Sequence, residues 1–216
     1  MVKSAQTTLV IDTTPDFRYQ MLREKVTQLD AVLFTHPHKD HVAGLDDIRA
    51  FNFFNKKAMA VYANDITAAA LRNEFYYVFA EHKYPGIPDI NLLPIPDAEF
   101  MIGDIPVQPI QVWHLKMPVL GFRFGSFTYI TDANRIDDTQ MEFIKGSSVL
   151  VINALRHQKH ISHFSLSEAL ELADQLQIPQ VYFTHISHQL GMHSEVMETL
   201  PANRALAYDG LQLSLG

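Results

Sequence analysis

The segment Thr35-His36-Pro37-His38-Lys39-Asp40-His41 constrains this chain more than any other feature. It follows directly on Ala31-Val-Leu-Phe34, an apolar run rich in β-formers that reads as a buried strand. In extended chain, residues two apart project to the same side. His36 and His38 can therefore converge on one ion, while Pro37 holds His36 out of the helical region. A turn at Lys39 then swings Asp40 and His41 towards a second ion, giving two nitrogen- and oxygen-donor sites from one short segment. A solvated polar loop has no reason to sit at the exit of a buried strand, which is where functional loops are mounted.

Cysteine is absent, which removes disulfides, thiolate sites and thiol nucleophiles together, so any metal must be held by His and carboxylate. Neutral imidazole is the commonest metal ligand, and the chain carries 11 histidines. The motif offers four ligands, yet two catalytic sites each want three or more plus water. Three further residues repeat its placement at a strand exit. His114 follows Ile110 to Trp113, Asp132 follows Phe127 to Thr131, and His185 follows Val181 to Thr184. Taken singly each reads first as a structural polar residue; as a set they are candidate ligands.

The remaining pattern is of short strands with helices inserted singly. Leu9 to Asp12, Met59 to Tyr62, Gly121 to Phe124 and Val149 to Ile152 read as strands, and Phe17 to Glu24 and Asp46 to Phe54 as helices. Asp65 is the expected N-cap of a helix running towards Phe79, and Ser165-Leu-Ser-Glu168 is a capping box ahead of Ala169 to Gln175. The proline-rich stretch Tyr84 to Pro109 should be loop and edge strand. Ala205 to Tyr208 and Leu211 to Leu213 are expected to close the chain as a hairpin around Asp209-Gly210. Together these suggest an α+β fold, sheet packed on sheet with helices outside, in a single domain over residues 1–216.

With a net charge of −7 and scattered Lys and Arg, nothing here attracts a long polyanion, so nucleic acid is a disfavoured partner. Met1 to Thr8 lacks an apolar signal core, and no apolar run approaches the roughly 20 residues that cross a bilayer. No membrane association and a cytoplasmic location are expected. Tyr76, Tyr77, Phe79 and Tyr84 read as core before a substrate wall or a homodimer contact.

His36-x-His38-x-Asp40-His41, followed at a distance by His114, Asp132 and His185, resembles the binuclear metal signature of the metallo-β-lactamase superfamily, whose fold is a four-layer αββα sandwich. The likeness implies that His36, His38 and His114 hold one metal, that Asp40, His41 and His185 hold the other, and that Asp132 bridges them. Asp12 to Arg18, Gly44 to Arg49 and Tyr208-Asp209-Gly210 are similar to the branch containing the phosphonate-operon cyclic phosphodiesterase and the tRNA-tail-processing endonuclease. His163-Phe-Ser165 with Glu168-Ala169 resembles the histidine motif that this branch sets over its phosphate. The Gly-rich strand pair that usually precedes the segment matching Leu9 to Asp12 has no counterpart here, the cysteine zinc site of some members cannot form, and Thr14 stands where glycine is common.

The resemblance implies two divalent ions, zinc or manganese before iron, that lower the pKa of a bridging water towards about 7 for in-line attack on phosphorus. Asp40 and Asp132 would serve that chemistry as ligands. His163 would protonate the leaving oxygen or bind a phosphoryl oxygen, and Asp12 would accept a hydrogen bond from a ligand imidazole. The substrate expected is a small or cyclic phosphodiester. The competing readings are a thioesterase or lactonase of the same fold, an RNA-processing nuclease, and a non-hydrolytic di-iron redox or metal-sensing module.

Overall fold

A strand that returns through a helix comes back alongside its predecessor in the same direction, so the alternation read above dictates parallel pairing. The computed structural model describes residues 1–82 and 84–215. They form two compact units, Met1–Asp97 with Met101–Ile105, and Ala98–Phe100 with the chain from Pro106 onward. Each unit has its own sheet, helices and core, as the expected αββα class requires.

In the first unit β1 (Val2–Lys3), β2 (Thr8–Ile11), β3 (Ala31–Leu33), β4 (Met59–Ala63) and β5 (Ile90–Pro94) lie in sequence order. β1 is antiparallel to β2, and the other pairings are parallel. The short β1 takes the sheet edge for which the sequence offered no strand pair. Helices α1 (Phe17–Arg23), α2 (Lys39–Val42), α3 (Arg49–Asn55) and α4 (Asp65–Glu74) accompany this sheet. Every residue of β3 is buried, as a central parallel strand requires, and the cluster around Val32, Phe34, Phe17, Leu45 and Phe51 anchors the loop that follows it. Gly44 packs against the turn after β2: a Cβ there would stand 2.3 Å from the Thr14 carbonyl oxygen.

In the second sheet, which the second unit supplies except for residues 101–102 and 105, β7 (Ile105–His114), β8 (Met117–Phe124) and β9 (Phe127–Ile130) form an antiparallel meander, with β6 (Phe100–Ile102) outside β7. β10 (Val149–Asn153), β11 (Gln180–Thr184) and β12 (Arg204–Leu206) continue the sheet in parallel, reached through α5 (Asp138–Ile144), α6 (Leu166–Gln175) and α7 (His193–Thr199). The apolar faces of these strands and of α6 share one core that includes Ile110, Ile130, Ile152, Leu172 and Phe183.

Three local expectations are corrected. The Asp209-Gly210 turn forms, with Leu211 N–H bonded to Tyr208 O at 3.0 Å, but 211–213 pair with nothing as a strand, because β12 already lies parallel to β11 and Leu211 and Leu213 stay half-exposed. The N-cap of α4 is Asn64, whose side chain accepts from Thr67 N–H at 2.9 Å, and Asp65 is the first helical residue. Of the aromatic group, Tyr76 and Tyr84 are 71% and 81% exposed, Phe79 carries Arg72 over its ring, and Tyr77 donates to Asp46. The group is therefore divided: Tyr76 and Tyr84 are not core, while Tyr77 and Phe79 pack against the core of the first unit. The Pro-rich stretch does supply edge strands, β5 in one sheet and β6 in the other.

The capping box forms in full: Ser165 N–H and Oγ donate to Glu168 Oε2 at 3.0 and 2.8 Å, and Glu168 N–H returns to Ser165 Oγ. Ser165→Ala is expected to cost about 1 kcal/mol and to lower the melting midpoint by a few degrees. Burial pushes the Glu168 carboxyl up, but the Ser165 donors and Lys159 outweigh it and hold the group below its ordinary range. A carboxyl depressed in the folded state stabilises above its unfolded pKa and loses that contribution as pH falls through the folded value. The difference between Ser165→Ala and the parent in melting curves should therefore shrink in acid.

Candidate metal centre

In the first unit one carboxylate organises the motif. Asp12 leaves β2 at a left-handed φ of 60°, a strained conformation for a residue other than glycine, and its carboxyl is thereby turned under the loop after β3. Asp12 Oδ1 accepts Thr35 N–H at 2.8 Å, and Oδ2 accepts both the Thr35 hydroxyl at 2.8 Å and His41 Nδ1 at 2.7 Å. Since the Thr35 proton is committed to Asp12, its oxygen can only accept from His36 Nδ1, 2.9 Å away. Both imidazoles are thus held as Nδ1–H tautomers, which makes Nε2 the nitrogen suited to a ligand role. His36 Nε2 lies 3.1 Å from His38 Nδ1, the His36 and His41 rings are 4.1 Å apart, and His41 Nε2 is 3.4 Å from Asp40 Oδ2. Burial pushes the Asp12 carboxyl above its usual range, and the donors from His41 and Thr35 work against that shift.

In the second unit the same device recurs. Asp132 and His185 leave β9 and β11 at φ of 52° and 53°, and Leu115, directly after His114, stands at 57°. Asp132 Oδ1 accepts the Thr131 hydroxyl at 2.6 Å and lies 3.2 Å from His185 Nε2. His114 Nδ1–H donates to the Ser162 carbonyl at 2.9 Å, which again leaves Nε2 for a ligand role. His114, Asp132 and His163 bring donor atoms within 4.8 Å of one another, and the His163 ring is 4.5 Å from that of His114 and 4.7 Å from that of His185. His163 Nδ1 is buried and has no hydrogen-bond partner among the described residues. Burial of the ring outweighs the attraction of Asp132 and lowers the pKa of His163 to about 4.

Each candidate ligand therefore stands in one of two clusters: His36, His38, Asp40 and His41 in the first unit, and His114, Asp132 and His185, with His163, in the second. Sequence reasoning missed three supports. Thr35 relays Asp12 to His36, and Ser162 orients His114 through its backbone oxygen. Asn153 pins the loop after Asp132 by a bond to each side of the Ala133 peptide, at 2.8 and 3.0 Å. A buried Asn at the end of an apolar strand was the visible sign of the last; the other two had none. Lys39 pairs with Glu74, and Arg123 donates to the carbonyls of Gly125, Phe143 and Lys145.

Divalent ions fit this donor set. Imidazole nitrogens, with the Nδ1–H groups of His36, His41 and His114 satisfied, beside carboxylates and without thiolates, form a borderline-hard site suited to zinc, manganese or iron.

A family model described as the Beta-lactamase superfamily domain matches residues 7–186. An octanoyltransferase of Porphyromonas gingivalis is 36% identical over 214 residues, 98% of this chain and 43% of that protein. The exodeoxyribonuclease WalJ of Streptococcus pneumoniae is 26% identical over 137 residues, 62% of this chain and 47% of that protein. The chain spans less than half the length of either. Among solved structures, a new diphosphatase from the PhnP family superposes with a TM-score of 0.90 at 36% identity, over 99% of this chain and 82% of that one. Divalent metal and hydrolysis go with this fold, and no helix among the described residues is long and apolar enough to cross a membrane. The chain belongs to the metallo-β-lactamase superfamily of metal-dependent hydrolases, in the branch that holds the PhnP family.

Proposed function

We propose that the two ligand clusters serve one pair of divalent ions, and that the chain hydrolyses a small or cyclic phosphodiester. His36, His38 and His114 would hold one ion and Asp40, His41 and His185 the other, with Asp132 shared; zinc or manganese suits these donors. When bound, such ions supply a nucleophile at neutral pH and offset the charge that develops on phosphorus. The chain's own residues do the rest. Asp12 and Thr35 fix the tautomers of His41 and His36, Ser162 fixes that of His114, and Asn153 holds Asp132 in place.

The observation that carries the phosphate reading is His163. Its ring is buried among His114, His160 and His185, its Nδ1 is unpartnered, and it is neutral at pH 7. A neutral imidazole there is a hydrogen-bond donor for a phosphoryl oxygen rather than a ready proton source. His163→Ala is expected to lower diester turnover on the order of 10²-fold or more. His163→Asn, which keeps an N–H donor, should lose less, and metal content should stay at the parent level in both. Loss of metal would instead make His163 a ligand.

The diphosphatase likeness favours a second bond, the phosphoanhydride of a diphosphate diester. The test is one hydrolysis panel on metal-reconstituted protein: a linear diester, a cyclic phosphate, a diphosphate diester, a phosphomonoester, an octanoyl thioester, a lactone and single-stranded DNA. Turnover of a diester at least tenfold above the rest is expected. Preference for the thioester or lactone would replace phosphorus by an acyl centre.

A further inference from the structure

Two exposed aliphatic side chains flank His114 with no packing role to explain them. Leu115 is 51% exposed and Ile161 is 71% exposed. The pairing of His114 with Met117 makes Leu115-Lys116 a two-residue hairpin turn, and its first position is held at φ 57°. Gly or Asn is favoured at such a position, and a bulky aliphatic residue is strained there. The strain is sustained from outside the turn. Leu115 N–H donates to Asn134 Oδ1 at 2.8 Å, Asn134 Nδ2 donates to the Ile161 carbonyl at 3.0 Å, and Asn134 N–H bonds Trp113 O at 2.9 Å. On the other side, His114 Nδ1 bonds the Ser162 carbonyl. One asparagine thus ties the Leu115 turn to the Ile161 loop, and both are locked to the imidazole that reaches towards Asp132 and His163.

A residue that breaks the local turn preference and gains no burial by it needs another reason to be there. We infer that Leu115 and Ile161 form an apolar subsite for the non-phosphate substituent of the substrate, so that diesters with an aryl or alkyl group are preferred to those with a small one. The inference rests on the phosphodiester reading for the identity of the reacting bond. The apolar lip itself does not: it would recognise an apolar group on any anion held beside His163. Covering half of an aromatic ring, on the order of 50 Å², corresponds to about tenfold in affinity.

The test measures binding of two non-hydrolysable phosphonates, one phenyl and one methyl, to the metal-loaded protein by calorimetry, alongside turnover of phenyl and methyl phosphodiesters. The phenyl phosphonate should bind about tenfold tighter to the parent, and the advantage should vanish in Leu115→Asn and in Ile161→Ser. Leu115→Asn should also melt a few degrees higher, since Asn accepts the left-handed turn position. Equal binding of the two phosphonates to the parent, or an advantage that survives both substitutions, overturns the subsite. Discrimination without turnover of any diester keeps the subsite and removes the phosphodiester reading; turnover without discrimination does the reverse.

Discussion

Asp132→Ala is expected to abolish tight metal binding and to reduce hydrolysis by at least about 10³-fold, beyond the 10–100-fold that follows loss of a residue merely supporting a ligand. Asp132 is 2% exposed, and its Oδ1 already receives the Thr131 hydroxyl and faces His185 Nε2. A carboxylate so buried beside imidazoles fits the proposed ligand role, since its charge would balance cations that neutral histidines alone would not. Because Asn153 grips the Ala133 peptide rather than the Asp132 side chain, the strand exit should keep its shape in the variant. Metal content by elemental analysis and a melting curve separate the outcomes. Lost metal with a native melting transition supports the ligand role, whereas full metal retention would remove Asp132 from the ligand set.

Asp12→Asn is the second large effect. The carboxylate accepts three hydrogen bonds and through them sets two imidazoles, so an amide in its place turns one acceptor into a donor facing either His41 Nδ1–H or Thr35. Metal affinity should fall 10–100-fold, with turnover lost in proportion at limiting metal and partly restored at excess metal. Thr35→Val divides the effect, since it breaks the relay to His36 while His41 keeps its bond to Asp12. Its loss of affinity should be smaller than that of Asp12→Asn. Equal losses would mean that Asp12 acts through the Thr35 hydroxyl and His36 alone, its bond to His41 adding nothing.

The ligand motif was legible in the sequence because its information is local: three histidines and an aspartate within one turn of chain, placed by a buried apolar strand and a proline. His114, Asp132 and His185 were legible only as a repetition, the same residue types at the same point after a strand. Their supports were not, because a backbone carbonyl such as that of Ser162, or a relay hydroxyl such as that of Thr35, has no signature before the loops meet. Leu115 is illegible for the opposite reason, since its left-handed conformation contradicts its own preference and is imposed by Asn134. The C-terminal hairpin failed through sheet topology: a good turn sequence at Asp209-Gly210 makes no hairpin where the strand before it already pairs in parallel, and the alternate leucines after it, Leu211 and Leu213, stay half-exposed. The capping box at Ser165, by contrast, is a purely local device and formed as read.

Crystals grown with excess zinc or manganese, with anomalous scattering recorded at the metal edge, address the binuclear centre most directly. Two peaks roughly 3.5–4 Å apart are expected, one contacted by His36, His38 and His114, the other by Asp40, His41 and His185, with Asp132 touching both. A single ion held by His114, Asp132 and His163 alone, or ions bound to one ligand cluster with the other left out, would contradict it.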